Sequence, residues 1–270
     1  MNESNPMPET DYTRKYFLAH CGGHERFSFQ NSVLGGALER CFRRADVLPG
    51  DQVLDLGCGR GDILFACQRN RACAYGTDYS TAAVEIVREY IRHNGLSGIT
   101  VVQAALPDVG FPDKVFDKVF LLDVVEHITE PVLLASLDNI SRVLSERGIL
   151  IIHTDNKHYK AFTARVLRTI RTVLTGHRHR EDEHERLHIN YQSLGGMVRK
   201  LRKSGFRMVD ADYVTPASVE ELRPWTNIRS RITLRAVYLV LKVLLATPFR
   251  HILCPTFDIV ATCKRGGQCR

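Results

Sequence analysis

A short apolar stretch runs directly into three glycines at alternate positions, and this junction constrains the fold more than any other feature. The residues are 53–56 (VLDL), followed by 57–61 (GCGRG). In an α/β sheet, such a loop lies at the carboxyl end of the first strand, where a nucleotide-like ligand binds. Glycine lets the backbone approach a ligand closely and adopt φ angles that cost other residues energy. The sequence therefore predicts an α/β sheet with a ligand site at this loop.

The residue after the loop narrows the class of ligand. Asp62 stands where a dinucleotide-binding fingerprint has its third glycine or alanine. A carboxylate at the start of a helix repels a pyrophosphate, which prefers the positive helix N-terminus. The loop therefore suits a nucleoside ligand without phosphates. S-adenosylmethionine fits this description, because it carries an amino group and a sulfonium instead.

At these residues the chain resembles the class I S-adenosylmethionine-dependent methyltransferases, in particular the small-molecule branch with the ubiquinone-biosynthesis O-methyltransferases. The resemblance covers residues 48–154. It implies an α/β fold with a doubly wound, seven-stranded, mostly parallel sheet, an N-terminal lid and a helical insertion. It also implies that the loop holds the methionine part of the cofactor, through Asp55, Gly57, Cys58, Gly59 and Gly61. The alternative is a glycine-rich turn of another Rossmann-like protein.

A second predicted strand, 72–78, ends in an acidic residue. Asp78 lies about 20 residues past the glycine loop, the distance at which a carboxylate can bind the ribose hydroxyls. A carboxylate accepts two hydrogen bonds, as a cis diol requires. Asp78 also precedes a predicted helix, 80–94, so it could cap that helix as well. Tyr79 could stack on the adenine or pack in the core.

The third predicted strand, 99–104, departs from the family pattern. The family usually has an Asp at the end of this strand, where it contacts the adenine amino group. Gln103 and Ala104 occupy that neighbourhood here. Gln103 could make the contact through its amide oxygen, so both residues are candidate cofactor contacts.

A fourth strand, 116–122, leads into a run that resembles the post-strand motif of the same family. Leu122 and Asp123 are expected to contact the cofactor there. Where the acceptor is a hydroxyl, a base removes its proton. His127 is the candidate base because imidazole titrates near neutral pH, and Glu126 could orient it or contact the substrate. Alternatively, both residues only cap the helix that follows.

Two further histidines, His184 and His188, are one helical turn apart. Such a pair can share a face and bind a divalent ion. However, the chain has no cysteine pair at zinc-finger spacing, and the alternating charges of 178–186 indicate a solvated helix face. We therefore expect no metal, and we expect His184 or His188 to line the acceptor pocket as a further candidate base.

The organisation of the chain follows from these segments. The predicted parts are an N-terminal arm and lid (1–47, with a helix at 31–44), a cofactor-binding core (48–156), a helical substrate insertion (157–190, with a helix at 159–175), and a C-terminal part of the core (191–270, with an apolar helical insertion at about 230–250). The predicted core elements after the fourth strand are a helix at 131–145, a strand at 148–154, a helix at 191–203, a strand at 206–214, and a last strand at 257–264, antiparallel to the fifth. The lid is rich in aromatic residues, which attract a sulfonium cation or anchor the segment in the core.

The charge and the cysteine content of the chain limit the compartment and the classes of partner that we expect. The chain has 270 residues, a formal net charge of +7 and eight scattered cysteines, so we expect a reducing cytoplasm and no disulfide framework. The positive charge is not gathered into one run and no RNA-binding signature is present, so we expect no nucleic-acid partner. Segment 232–249 could lie at a membrane surface as a basic amphipathic helix, form a homodimer contact or line an acceptor channel.

Together these residues predict transfer of a methyl group from S-adenosylmethionine to a small or lipid-like acceptor, with oxygen as the favoured atom. N-methylation is the second enzymatic hypothesis. A non-catalytic module that binds the cofactor and supports a partner enzyme is the third. The intact glycine loop and Asp78 argue against that last hypothesis.

Overall fold

The fold was obtained as a computed structural model, which describes residues 11–108, 110–164, 187–215, 239, 243, 247 and 250–263. The strands over these residues are β1 (Phe27–Ser28), β2 (Asn31–Ser32), β3 (Gln52–Leu56), β4 (Cys73–Asp78), β5 (Ile99–Gln103), β6 (Phe116–Leu122), β7 (Leu144–Asp155), β8 (Phe206–Tyr213) and β9 (Thr256–Cys263). The α-helices are α1 (Arg14–Ala19), α2 (Gly36–Ala45), α3 (Asp62–Arg69), α4 (Thr81–Asn94), α5 (Glu130–Val143), α6 (Leu194–Lys203) and α7 (Arg250–Leu253). Short 3-10 turns cover His24–Arg26 and Val125–His127, and a π-helical turn covers Tyr159–Ala164.

Seven strands form one sheet in the order β5-β4-β3-β6-β7-β9-β8. All neighbours are parallel except the pairs that β9 makes with β7 and β8. The order reverses at β3, and ligands of doubly wound sheets bind at such a switch point, beyond the carboxyl ends of the strands. The predicted fold class is confirmed, including the antiparallel last strand beside the fifth core strand.

Both faces of the sheet are buried, and β6 shows how the sequence achieves this. Val119 and Leu121 pack into the core on one face, while Phe120 and Leu122 pack into the core on the other. Successive side chains of a strand point to opposite faces. A continuous apolar run is therefore what a central parallel strand covered by helices on both sides requires.

The prediction of one helix over 31–44 is wrong at its start. Asn31–Ser32 pairs with Phe27–Ser28 as a two-stranded hairpin, and the helix begins only at Gly36. Gly36 has a φ of +56°, so the chain turns sharply there. A Cβ at Gly35 would lie 2.7 Å from the Arg26 side chain. The two glycines therefore allow a bend where the apolar pattern alone indicates a helix.

Other boundaries shift by a few residues for local reasons. The predicted helix 131–145 ends at Val143, because buried Leu144 already pairs with Phe116 and starts β7. The predicted helix 191–203 begins at Leu194, because Ser193 caps it with its Oγ 3.1 Å from the Gly196 amide nitrogen. The part of the predicted helix 159–175 beyond residue 164 lies outside the described residues.

Within the described ranges, every helix is too short or too polar to cross a bilayer. Of the apolar segment 232–249, only residues 239, 243 and 247 are described, so its membrane, dimer and channel hypotheses lie outside the described structure. The four-part division of the chain stays a prediction.

Candidate functional site

The glycine loop connects β3 to α3 in the conformation that the sequence predicts. Gly57, Gly59 and Gly61 have φ angles of +74°, +51° and +86°. The amide nitrogens of Gly57 and Cys58 both donate to the Thr77 carbonyl oxygen, at 2.8 and 2.9 Å. The loop is thus fastened to the end of β4, and its backbone faces the space beyond the sheet.

Asp78 stands at that end of β4 with a fixed carboxylate. Its Oδ2 accepts a hydrogen bond from the Gly59 amide and its Oδ1 accepts one from the Ser80 amide, each at 2.9 Å. The side chain is buried. Each carboxylate oxygen has two acceptor sites, so these bonds orient Asp78 and are compatible with the predicted contacts to a diol. Those contacts stay a prediction.

Two other residues of the glycine loop region, Asp55 and Cys58, have raised pKa values. Burial raises the pKa of Asp55 to about 8, and the nearby Asp78 and Asp62 add to the shift. The shift favours the protonated carboxyl group, which can donate a hydrogen bond. Burial also raises the pKa of the Cys58 thiol well above its usual value, so this cysteine is unreactive.

A single cavity of about 560 Å³ joins the predicted residues. Its wall includes these predicted residues: Asp55, Gly57, Cys58, Gly59, Asp78, Tyr79, Ala104, Leu122, Asp123, Glu126, His127 and His188. His184 lies outside the described residues.

Gly61 and Gln103 are not in the wall of the cavity. A Cβ at Gly61 would meet Phe65 and Val87, so this glycine allows α3 to pack. The Gln103 amide nitrogen donates to Tyr79 and Thr81. Every predicted ligand contact stays a prediction.

The N-terminal segment covers the cavity, and Arg60 of the glycine loop holds it there. The guanidinium donates to the carbonyl oxygens of Phe17, Cys21 and Gly22 at 2.7–3.2 Å. It also forms a buried ion pair with Asp62, at 2.9 Å. This pairing compensates the Asp62 charge, so the repulsion of a pyrophosphate expected from Asp62 is reduced. The same arginine ties the cover to the loop that it protects.

Ser80 provides a second tie to this cover. It caps α4, and its Oγ also donates to the Tyr12 carbonyl oxygen at 2.8 Å. We expect Ser80→Ala to lower the free energy of unfolding by about 2 kcal/mol, because it removes a cap and a buried hydrogen bond. Ser193→Ala removes only a cap and should cost about 1 kcal/mol. Urea unfolding measures both, and equal losses would show that the Ser80–Tyr12 bond contributes nothing.

Imidazole and carboxyl groups gather in one part of the cavity wall. The rings of His127 and His188 are perpendicular, with centroids 4.6 Å apart. Nδ1 of His188 lies 2.9 Å from Oδ2 of Asp155. Although burial raises the pKa of Asp155, this bond and the charge of Lys160 hold it below its usual value. Asp155 therefore stays ionised and orients His188, a partnership that the sequence analysis missed.

Glu126 has a hydrogen-bond partner that the sequence does not reveal, and its predicted role, orienting His127 or contacting the substrate, stays a prediction. Its carboxylate accepts a hydrogen bond from the Thr154 hydroxyl at 2.7 Å. Burial raises its pKa to about 8, with help from the charges of Asp123 and Asp155. His127 is contacted by the Tyr12 hydroxyl and the Leu187 carbonyl oxygen.

A fourth histidine, His153, is a poor candidate base. It is buried and outside the cavity wall, with Nδ1 2.6 Å from Asp258. Although burial lowers the pKa of His153, the charges of Asp123 and Asp258 raise it above its usual value overall. These two carboxylates therefore favour the charged form of the ring, whose Nε2 lies 3.5 Å from Asp123 on the cavity wall.

Two groups of side chains among the described residues have the donor atoms of a metal site. Glu126, His127 and His188 form one, and Cys41, His153 and Asp258 the other, each with ligand atoms within 4.8 Å of one another. In the second group, Arg40 and Arg44 already pair with Asp258, which opposes a further cation. The expectation of no metal stays a prediction.

Comparison with known proteins finds relatives for the part of the chain that contains the glycine loop. Residues 53–148 match the family of the methyltransferase domain. The ubiquinone biosynthesis O-methyltransferase of Actinobacillus pleuropneumoniae is 30% identical over 125 residues, which cover 44% of this chain and 52% of that protein. The ubiquinone/menaquinone biosynthesis C-methyltransferase of Vibrio campbellii is 26% identical over 136 residues, 47% and 52% of the two chains. The chain thus spans about half the length of these curated relatives.

The fold also matches solved structures. The crystal structure of an S-adenosylmethionine-dependent methyltransferase from Aquifex aeolicus superposes with a TM-score of 0.57 at 15% identity, over 96% of this chain and all of that one. At this identity the match supports the fold alone. Together, the domain match over residues 53–148 and the shared fold show that the chain carries a class I S-adenosylmethionine-dependent methyltransferase domain, as its glycine loop predicted.

Proposed function

We propose that the protein transfers the methyl group of S-adenosylmethionine to a hydroxyl oxygen of a small or lipid-like molecule. One observation carries the proposal. The wall of one cavity includes the glycine loop and Asp78 as well as His127 and His188. A cofactor site and candidate bases therefore share one enclosed space, as a methyl transfer to oxygen requires.

The residues of the cavity fit the cofactor. A Cβ at Gly57 would collide with Val124, another residue of the cavity wall, so glycine lets the loop lie this close to that wall. Asp78 presents a buried, fixed carboxylate to the ribose, and the rings of Tyr12 and Tyr16 face the same cavity. Aromatic faces attract cations, so these rings suit a sulfonium. When bound, S-adenosylmethionine supplies an electrophilic methyl group.

The chain's own part in the reaction is to position the acceptor, exclude water and take a proton. Methyl transfer is an in-line displacement, so alignment of donor and acceptor is the main requirement. The buried Tyr12 and Phe17 of the N-terminal segment close one side of the cavity against water. His127 takes the proton of the hydroxyl as the new bond to oxygen forms.

The test is methyl transfer from S-adenosylmethionine with a labelled methyl group. The purified protein is incubated with a panel of phenols, catechols and prenylated phenols and a matched panel of amines, and the products are identified by mass spectrometry. We expect label on oxygen. Label on nitrogen or carbon alone would contradict O-methylation, and binding of the cofactor without transfer to extract from the source organism would favour a non-catalytic module.

His127→Ala is expected to lower turnover of a hydroxyl acceptor by about 100-fold, the usual scale of general base catalysis. Cofactor affinity should barely change, because the loss falls on the transition state. His188→Gln, His184→Gln and His153→Gln provide the comparison, and the buried His153 should matter least. Equal turnover by wild type and His127→Ala at saturating acceptor would assign the proton to another group.

The amine hypothesis makes a different prediction for the same variants. An amine can lose its proton before it enters the site, so His127→Ala should leave N-methylation nearly unchanged.

The remaining proposals concern partners: a small or lipid-like acceptor, no nucleic acid, and peripheral membrane or homodimer contacts through 232–249. The C-methyltransferase among the relatives keeps carbon acceptors in the test panel.

A further inference from the structure

His127 is held by two oxygen atoms that reach it from distant parts of the chain. Its Nδ1 lies 3.1 Å from the Leu187 carbonyl oxygen and 2.9 Å from the Tyr12 hydroxyl oxygen. Leu187 precedes His188 of the cavity wall, and Tyr12 precedes α1 in the N-terminal segment. The imidazole therefore contacts both the N-terminal segment and the segment that leads into His188.

The contact with the Leu187 carbonyl oxygen assigns the proton to one ring nitrogen, whereas the Tyr12 hydroxyl can either donate or accept. A carbonyl oxygen only accepts hydrogen bonds, so the Leu187 contact requires a proton on Nδ1. In the neutral ring, the lone pair is then on Nε2. The hydroxyl oxygen of Tyr12 can accept from the same N–H in a three-centre bond. In this tautomer Nε2 is the basic nitrogen of the ring.

We propose that Tyr12 is a positioning residue for methyl transfer: with the Leu187 carbonyl, its hydroxyl holds the His127 ring so that Nε2 accepts the proton. This inference rests on the proposed O-methylation. The acceptor oxygen forms its bond to the methyl carbon as the sulfonium S–C bond breaks, and that electron pair stays on sulfur. The hydroxyl O–H bond breaks, and its proton moves to Nε2 of His127. The positively charged ring then keeps the hydrogen bonds from its Nδ1–H to the Tyr12 hydroxyl oxygen and the Leu187 carbonyl oxygen.

Tyr12 is well placed for this task because its own position is fixed. The side chain is buried, and its backbone carbonyl oxygen accepts the Ser80 hydroxyl proton at 2.8 Å. The rings of Tyr16 and Tyr79 pack edge-on against it, each at 5.2 Å between centroids. The Tyr12 ring itself is nearly perpendicular to His127, at 5.9 Å. The N-terminal segment thus supplies a group to the chemistry and is more than a cover.

The first test is Tyr12→Phe, which keeps the ring and removes only the hydroxyl. We expect kcat for a hydroxyl acceptor to fall roughly 3- to 10-fold, the effect of one neutral hydrogen bond, with the KM for S-adenosylmethionine unchanged. Tyr90→Phe is the matched control, because Tyr90 is also buried but stacks on Phe65 outside the cavity wall. Equal effects of the two variants would overturn the proposal.

The second test asks whether Tyr12 acts through His127. In a His127→Ala background, Tyr12→Phe should cause no further loss of kcat, because the group it positions is gone. A further loss of the same size as in the wild type would show that the hydroxyl acts elsewhere, and would overturn the assignment.

The third test needs no acceptor. In protein labelled with [15N]histidine, the two-bond proton–nitrogen spectrum distinguishes the tautomers, and His127→Gln assigns the His127 signal. We expect the Nδ1–H form in the wild type and a change of this signal in Tyr12→Phe but not in Tyr90→Phe. An Nε2–H form would overturn the proposal. If the Nδ1–H form is found but only amines are methylated, the proposed O-methylation is wrong, while the positioning of the His127 ring by Tyr12 is supported.

Discussion

Gly57→Val is expected to abolish S-adenosylmethionine binding while the chain remains folded. Gly57 has a φ of +74°, and a Cβ there would collide with a γ-methyl of Val124. The left-handed conformation alone costs a non-glycine residue about 1–2 kcal/mol. The loop must therefore leave the position in which its backbone lines the cavity, although the flanking β3 and α3 keep their buried contacts.

Calorimetric titration with S-adenosylmethionine and S-adenosylhomocysteine measures the loss, and circular dichroism checks the fold. Gly95→Val is the matched control. Gly95 has a φ of +59° and ends α4, and a Cβ there would have no atom within 4 Å. It carries the backbone cost without approaching the cavity, so this variant should bind normally. A folded Gly57→Val that still binds the cofactor would show that the loop is not the site.

Gly59→Val is expected to act more through the backbone than through a clash. Its φ is +51°, but a Cβ there would meet the Phe17 ring at an ordinary 3.6 Å. Its amide also donates to Asp78, so a shift of this residue would disturb both halves of the predicted cofactor site. Binding should again be lost, and Gly57→Ala should give an intermediate result.

The sheet could be predicted because its strands are short apolar runs whose order follows from the family pattern. The central parallel strands β3 and β6 have buried side chains on both faces, so their hydrophobicity is visible in the sequence alone. The glycine loop was equally visible, since three glycines at alternate positions have few other uses. The hairpin at Phe27–Ser32 was missed, because two-residue strands leave no periodic signal.

The candidate base could be predicted, but its partners could not. His127 follows β6 directly, and that position is readable from the chain. Tyr12, which holds it, is 115 positions away in sequence. Glu126 is adjacent to His127 but bonds to Thr154, because the short turn directs its side chain toward β7. Neighbours in sequence are thus poor guides to hydrogen-bond partners wherever distant segments meet.

Arg60 and Asp155 also have roles in the structure that were not predicted from the sequence. Asp155 has no special pattern around it, and the glycines beside Arg60 do not indicate the role of its side chain, yet Arg60 fastens the N-terminal segment and Asp155 orients His188. One signal could have found Arg60, since a buried arginine needs acceptors and Asp62 lies two positions away. Asp155 ends β7 at the carboxyl edge of the sheet, where ligand-binding side chains gather.

Asp78→Ala is expected to weaken the binding of S-adenosylmethionine and S-adenosylhomocysteine by about 2–4 kcal/mol, because two hydrogen bonds to a charged acceptor are lost. This corresponds to roughly a 30- to 1,000-fold rise in Kd. The structure adds a second reason for the loss. The carboxylate also holds the Gly59 and Ser80 amides, so its removal loosens the glycine loop that faces the ligand.

A matched aspartate separates the ligand contact from this structural support. Asp117 accepts a hydrogen bond from the Gln52 amide at 2.9 Å, as Asp78 does from Gly59, but it lies outside the cavity wall. Asp117→Ala should therefore lower the free energy of unfolding and leave the Kd unchanged. Asp78→Asn keeps one oxygen, so it should retain part of the affinity. If calorimetry gives the same Kd for Asp78→Ala and the wild type, the carboxylate does not bind the ribose, and its role is confined to holding the loop.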